Sequence, residues 1–237
     1  VGGAAKPDAI ATNLDEIIAR RRRYLVDYQD EAYAQRYLNL VDRVRAAELR
    51  VLAETQSAGA GETALTEAVA RSYHKLLACK DEYEVARLFT APEFAAELDA
   101  SFEGDYRLEF HLTLPWSRGA TPGAEPKKQR FGPWMLTAMK LLATFKFLRG
   151  SALNPFGRSA ERVQERELVA EYEATVKHII EVLDAGNRDA AVDLARVPEL
   201  IRGYGPVKDR SIVTAMAKQA ELQARFEALA PMPQQTA

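Results

Sequence analysis

The sequence predicts a mainly α-helical fold, a multi-helix domain carrying one small antiparallel β-hairpin around residues 106–131. Three observations predict it. Apolar residues recur every three or four positions along most of the chain. Asn, Ser and Pro stand where helices begin, and Gly stands where they end. The period falls to two in one place, between Tyr106 and Leu114.

The elements follow in order. Residues 1–12 are rich in Gly, Ala and Pro and read as a linker or loose end. Asn13 is a helix cap for a stripe of Leu14, Ile17, Ile18, Leu25 and Tyr28, and Tyr33, Tyr37, Leu40, Val41, Val44 and Val51 continue it as a second helix or a bend of the first. Residues 56–61 end that unit. Leu65, Val69, Tyr73 and Leu76 mark another helix, Lys80 to Phe89 the next, and Pro92 starts a short one over Glu93 to Phe102. Tyr106, Leu108, Phe110, Leu112 and Leu114 alternate with polar residues as a strand, and Lys128 to Phe131 is its partner across the loop 115–126.

Pro133 then opens a helix that is apolar almost all round, from Trp134 to Leu148, and it stops at Gly150. A helix without a polar face is expected at the centre of a fold, and Leu142 lies in its middle. Ser159 caps a long helix up to Gly186, Asn187 caps the next, and Gly203, Gly205 and Pro206 precede a last helix that ends near Leu229. These elements make one domain, residues 13–229, with a frayed tail at 230–237.

Composition narrows the function. The chain has 237 residues, 47% hydrophobic and 28% charged, which suits a globular core of its own. Its 32 basic and 34 acidic residues are interspersed and leave a net charge of −2, so neither nucleic acid nor a membrane surface is an expected partner. The basic run Arg20–Arg23 has Asp15, Glu16 and Asp27 beside it and reads as a solvated or interface-facing helix surface. The N-terminus lacks the apolar core of a signal peptide, so a cytoplasmic protein is expected. The opening Val1, without an initiator Met, suggests a processed or excised fragment, or equally an end chosen for expression.

Self-contained catalysis has little support. The chain lacks the glycine-rich phosphate loops, the HExxH pattern and the GxSxG elbow. One cysteine, Cys79, excludes an internal disulfide and a cysteine-built cluster, and its place after Leu76, Leu77 and Ala78 reads as a buried helical position. His178 has Glu171 and Glu181 near its helix face, but two facing Glu-x-x-His motifs are absent and a metal site is not expected. His74 and His111 have no ligand partner close in sequence. The string Lys75, Lys80, Asp81, Glu82, Glu84 and Arg87 has the spacing of structural ion pairs.

One segment has a route to a ligand. In Arg202-Gly203-Tyr204-Gly205-Pro206-Val207-Lys208, two glycines turn the backbone ahead of a helix whose free N–H groups favour an anion, and Arg202 and Lys208 add charge. The competing reading is a helix–helix turn, and it is preferred.

Five blocks carry a family resemblance: Leu14-Asp15-Glu16-Ile17-Ile18-Ala19-Arg20-Arg21, Tyr28 to Ala34, Lys80 to Leu88, Phe131-Gly132-Pro133-Trp134-Met135, and Ile201 to Lys208. In this order they resemble the C-terminal region of long, fused indolepyruvate ferredoxin oxidoreductases, from about residue 14 to about residue 228. The resemblance implies a parent enzyme that oxidatively decarboxylates aryl pyruvates to acyl-CoA, with thiamine diphosphate and an iron–sulfur cluster held by its other domains. No cofactor and no catalytic residue is implied for this chain. The expected role is accessory, as scaffold, dimerisation element or active-site cover, with the parent's catalytic domains or a second copy as partner. The alternative is an anion-binding module in which Arg202, Gly203, Gly205 and Lys208 meet the 2-oxoacid or CoA. A large exposed apolar patch favours the first.

Overall fold

The computed structural model describes residues 13–55, 63–112 and 128–230. The expectations for the linker at 1–12, the break at 56–61, the loop 115–126, the end of the strand at 113–114 and the tail from 231 lie outside the described residues. The chain divides into two compact units, one made of Thr12–Ala78 with Gln164–Ala237 and the other containing Cys79–Val163.

The larger unit is helical. Helix α1 (Leu14–Tyr28) starts where Asn13 accepts the Glu16 N–H at 2.8 Å, as its position predicts. Asp30 does the same for Tyr33 at 2.7 Å, so α2 (Glu31–Thr55) begins afresh and the first fifty residues are two helices. Helix α3 (Ala64–Leu77) follows, and the unit is completed by most of α7 (Ala160–Val182), by α8 (Arg188–Ala195), a 3-10 turn Val197–Leu200, and α9 (Pro206–Leu229). The stripes predicted from spacing face one continuous core, with Leu25, Tyr37, Val41, Val44, Leu65, Val69, Tyr73, Val176, Ile179 and Phe226 fully buried. Asn187 precedes α8 but does not cap it. Its side chain turns back, accepting the Asp184 N–H at 3.0 Å and donating to the Val182 carbonyl at 2.7 Å, because those groups at the end of α7 would otherwise be unmet.

The smaller unit holds α4 (Glu82–Thr90), α5 (Pro92–Ser101), strands β1 (Phe110–Leu112) and β2 (Gln129–Phe131), helix α6 (Trp134–Thr144) and a 3-10 turn Phe145–Leu148. The strands pair antiparallel, with Phe110 opposite Phe131 and Leu112 opposite Gln129. The predicted hairpin is present but shorter, since Tyr106 to Glu109 are not in the ladder. The fold is thus mainly α with one small two-stranded sheet.

One placement is corrected. The all-apolar helix is not central: Met139 is the only fully buried residue of α6, and Leu142 is half-buried. Met135, Leu136, Met139 and Leu142 pack on Ala86, Phe89 and Phe110, a core too small to cover the rest of the helix. Cys79 is also off the helix, which ends at Leu77, and is half-buried.

This difference in burial sets an expected order of stability effects. Leu65→Ala, at a fully buried site, should cost about 2–5 kcal/mol through lost burial and a cavity. Leu142→Ala should cost less than half as much. Urea denaturation midpoints of the two variants check this, and equal losses would place α6 in a core as tight as that around Leu65.

Candidate functional site

The outward face of α6 is the main candidate. Inward positions 135, 136, 139 and 142 recur at helical spacing, so the apolar residues between them point away from the small core. Trp134 is 62% exposed and Leu141 63%, and beyond the helix Phe147 is 64% and Leu153 79% exposed. Large side chains at this exposure are unusual when they fall on one short segment, and such patches mark interaction surfaces.

A buried ion pair fixes the end of this segment. Asp81 caps α4 by accepting the Glu84 N–H at 2.8 Å, and its two carboxylate oxygens also accept from Arg149 Nε at 2.6 Å and an Arg149 Nη at 2.7 Å. Both side chains are nearly buried. The guanidinium also lies over the Tyr83 ring, 5.4 Å from its centre. Tyr83 packs edge-on against Phe156 and donates to Asn154 at 3.1 Å. Removing one partner would leave an uncompensated buried charge, so the turn after α6 is clamped to α4 with Phe147 outside. The acidic string therefore does structural work: Asp81 holds Arg149, Glu84 pairs with Arg87 at 2.7 Å, and Glu82 lies 3.8 Å from Arg162.

The segment from Arg202 to Lys208 folds as a turn in which Arg202 and Lys208 make polar contacts and Tyr204 is exposed. Gly203 has φ +86° and Gly205 φ +51°, and Pro206 is the first residue of α9. A Cβ on Gly203 would meet Val207 Cγ1 at 2.5 Å, so the close approach itself requires glycine there. Lys208 Nζ is paired with the nearly buried Glu165. The Ser211 hydroxyl accepts the Arg202 N–H at 2.9 Å, and Arg202 Nε donates to the Glu199 carbonyl at 3.3 Å. These contacts give Arg202, Gly203 and Lys208 a packing account, while at Gly205 only the positive φ favours glycine.

A family model for DUF6537, a family of unknown function, matches residues 14–221. The chain belongs to that family. No curated protein and no solved structure matches it. The DUF6537 match spans α1 through most of α9, so it takes in most of both units.

Within the DUF6537 chain the histidines divide by environment. His111 is exposed on β1, and His178 Nε2 meets Glu227 at 2.7 Å on the surface. No group of three metal-ligating side chains occurs among the described residues. No described helix is long and apolar enough to cross a membrane. His74 lies against Tyr24 and Tyr37, with ring centres 5.2 Å and 6.3 Å away, and its buried Nε2 has no hydrogen-bond partner. Burial, reinforced by Arg21 and Arg20, pushes its pKa down to about 4.

The sign of the pH effect follows. The unfolded imidazole binds a proton near pH 6.5, while the folded one stays neutral until about pH 4. His74 therefore leaves stability intact above pH 6.5 and lowers it as the pH falls from 6.5 towards 4. The denaturation midpoint of the native chain should drop more steeply across that window than that of His74→Gln. Parallel pH profiles would show that His74 is solvated.

Proposed function

We propose that this chain is an accessory domain of a multidomain indolepyruvate ferredoxin oxidoreductase, a cytoplasmic enzyme that oxidatively decarboxylates aryl pyruvates to acyl-CoA. It docks on the parent's catalytic domains through the outward face of α6. Thiamine diphosphate and the iron–sulfur cluster belong, in this reading, to those other domains; with one cysteine this chain cannot by itself supply the four thiolates of a cluster.

The exposed row of Trp134, Leu141, Phe147 and Leu153 carries the reading. On the exposed side of α6 Trp134 and Leu141 stand among Thr137, Lys140 and Thr144, and each large side chain moved out of water contributes about 1.5–3 kcal/mol. Trp134 also belongs to Phe131-Gly132-Pro133-Trp134-Met135, one of the five blocks that resemble the oxidoreductase family. Aromatic residues at the middle of an apolar patch are the usual anchors of protein interfaces. In the Arg202–Lys208 turn Lys208 is paired to Glu165, which favours the helix–helix turn over the anion-binding alternative.

Binding of the chain to the parent's separately expressed catalytic domains tests this. Association is expected, and Trp134→Ser combined with Phe147→Ser should abolish it while the melting temperature of the chain stays unchanged, since both side chains are exposed. Absence of association, or association that the double substitution leaves intact, refutes docking through α6. A stable homodimer lost on the same substitutions would instead assign the face to a second copy.

A further inference from the structure

A groove of about 460 Å³, lined mainly by residues with polar or charged side chains, opens between helices of the larger unit. Its volume lies in the range of small-ligand sites, about 300–1,000 Å³. Helix α2 contributes Arg36, Asn39 and Arg43, three or four residues apart and so on one face, α3 contributes Tyr73, and α7 contributes Glu173 and Lys177 one turn apart.

The floor is built rather than incidental. Tyr73 is fully buried, stacked between Tyr37 and Tyr172 with ring centres 6.0 Å and 6.1 Å away, and its hydroxyl donates to Glu173. The same Glu173 oxygen accepts from Arg36 Nε at 2.7 Å. Burial would raise the Glu173 carboxyl, but the hydrogen bonds from Arg36 and Tyr73 and the charges of Arg36 and Lys177 hold it below the ordinary range. It is therefore an anion already engaged by Arg36 and Tyr73, which aim it and fix the Arg36 side chain.

The charge left over indicates the ligand. Arg36, Arg43 and Lys177 face the groove with one carboxylate among them, leaving a local excess of two positive charges. Among the described residues neither Arg43 nor Lys177 has an ion-pair partner within 4.0 Å. A dianion balances that excess, whereas a monocarboxylate leaves half of it. A phosphoryl group carries about −1.5 to −2 at neutral pH and offers three acceptor oxygens to such donors, and arginine matches its geometry with two parallel hydrogen bonds. Asn39, whose Oδ1 accepts from Gln35 at 2.9 Å, has its amide nitrogen to spare for the rest of the molecule.

We propose that this groove binds a phosphorylated small molecule, with the phosphoryl group held by Arg36, Arg43 and Lys177. The assignment is independent of the docking role of α6.

Calorimetric titration of the chain with pyrophosphate, and with malonate as a dicarboxylate carrying about one charge fewer, both at matched ionic strength, tests it. Pyrophosphate should bind saturably and malonate more weakly. Arg43→Gln with Lys177→Gln should weaken pyrophosphate by at least about tenfold through loss of two charge-assisted contacts. The melting temperature without ligand should not change, because both side chains are exposed. No saturable heat at millimolar pyrophosphate, equal affinity for malonate, or unchanged binding by the double variant overturns the proposal.

Discussion

The larger unit depends on a carboxylate with no exposure to water. Glu48 of α2 is fully buried, and one of its oxygens accepts the Leu65 N–H at 2.9 Å while the other accepts the N–H and hydroxyl of Thr66 at 2.8 Å and 2.7 Å. Arg188, the first residue of α8, donates to it from two nitrogens at 3.1 Å and 3.0 Å. Burying an ion this deeply costs several kcal/mol unless its oxygens are all met. Here they are met by two other elements, so the residue fixes where α3 starts and where α8 lies. Helix α3 needs this, because Thr63 at its N-cap makes no side-chain bond of its own. With that start fixed, Tyr73 enters the tyrosine stack, Tyr37 donates to the Ala70 carbonyl at 3.2 Å and Tyr172 to the Ala195 carbonyl at 2.9 Å.

The smaller unit solves its packing differently. Its buried apolar cluster is Ala86, Phe110 and Met139, and a single buried ion pair, Asp81 with Arg149, ties the turn after α6 to α4. That core stabilises one face of α6 and leaves Trp134 and Leu141 in solvent. The helix thus serves a core on one side and an open surface on the other, where Thr137 and Lys140 lie beside Trp134 and Leu141. This surface is the physical basis for the docking role proposed for the chain.

Local signals were legible in the sequence and long-range ones were not. Asn13, Pro92 and Pro206 lie at helix starts, and Phe131 pairs with Phe110, because capping, proline geometry and two-residue alternation act within a few positions. Gly203 and Gly205 both have positive φ, in keeping with the backbone turn expected ahead of the last helix. Spacing does not place α6, because its apolar residues give no single direction and apolarity alone does not distinguish a core from an interface. Glu48 reads as one more charge on α2, since its partners are 17, 18 and 140 positions away. Tyr73 and Glu173 are 100 positions apart. Only the spacing of Arg36 and Arg43 on one helix face could have hinted at a groove, and that spacing is common on any solvated helix.

Replacing Glu48 by Gln tests most directly whether that carboxylate organises the larger unit. The substitution keeps the shape but turns one acceptor into a donor and leaves Arg188 without its counter-charge. Loss of one partner of a buried pair is expected to cost about 3–5 kcal/mol, with fast hydrogen exchange at the Leu65 and Thr66 amides. A denaturation midpoint equal to that of the native chain, with both amides still protected, would contradict the account.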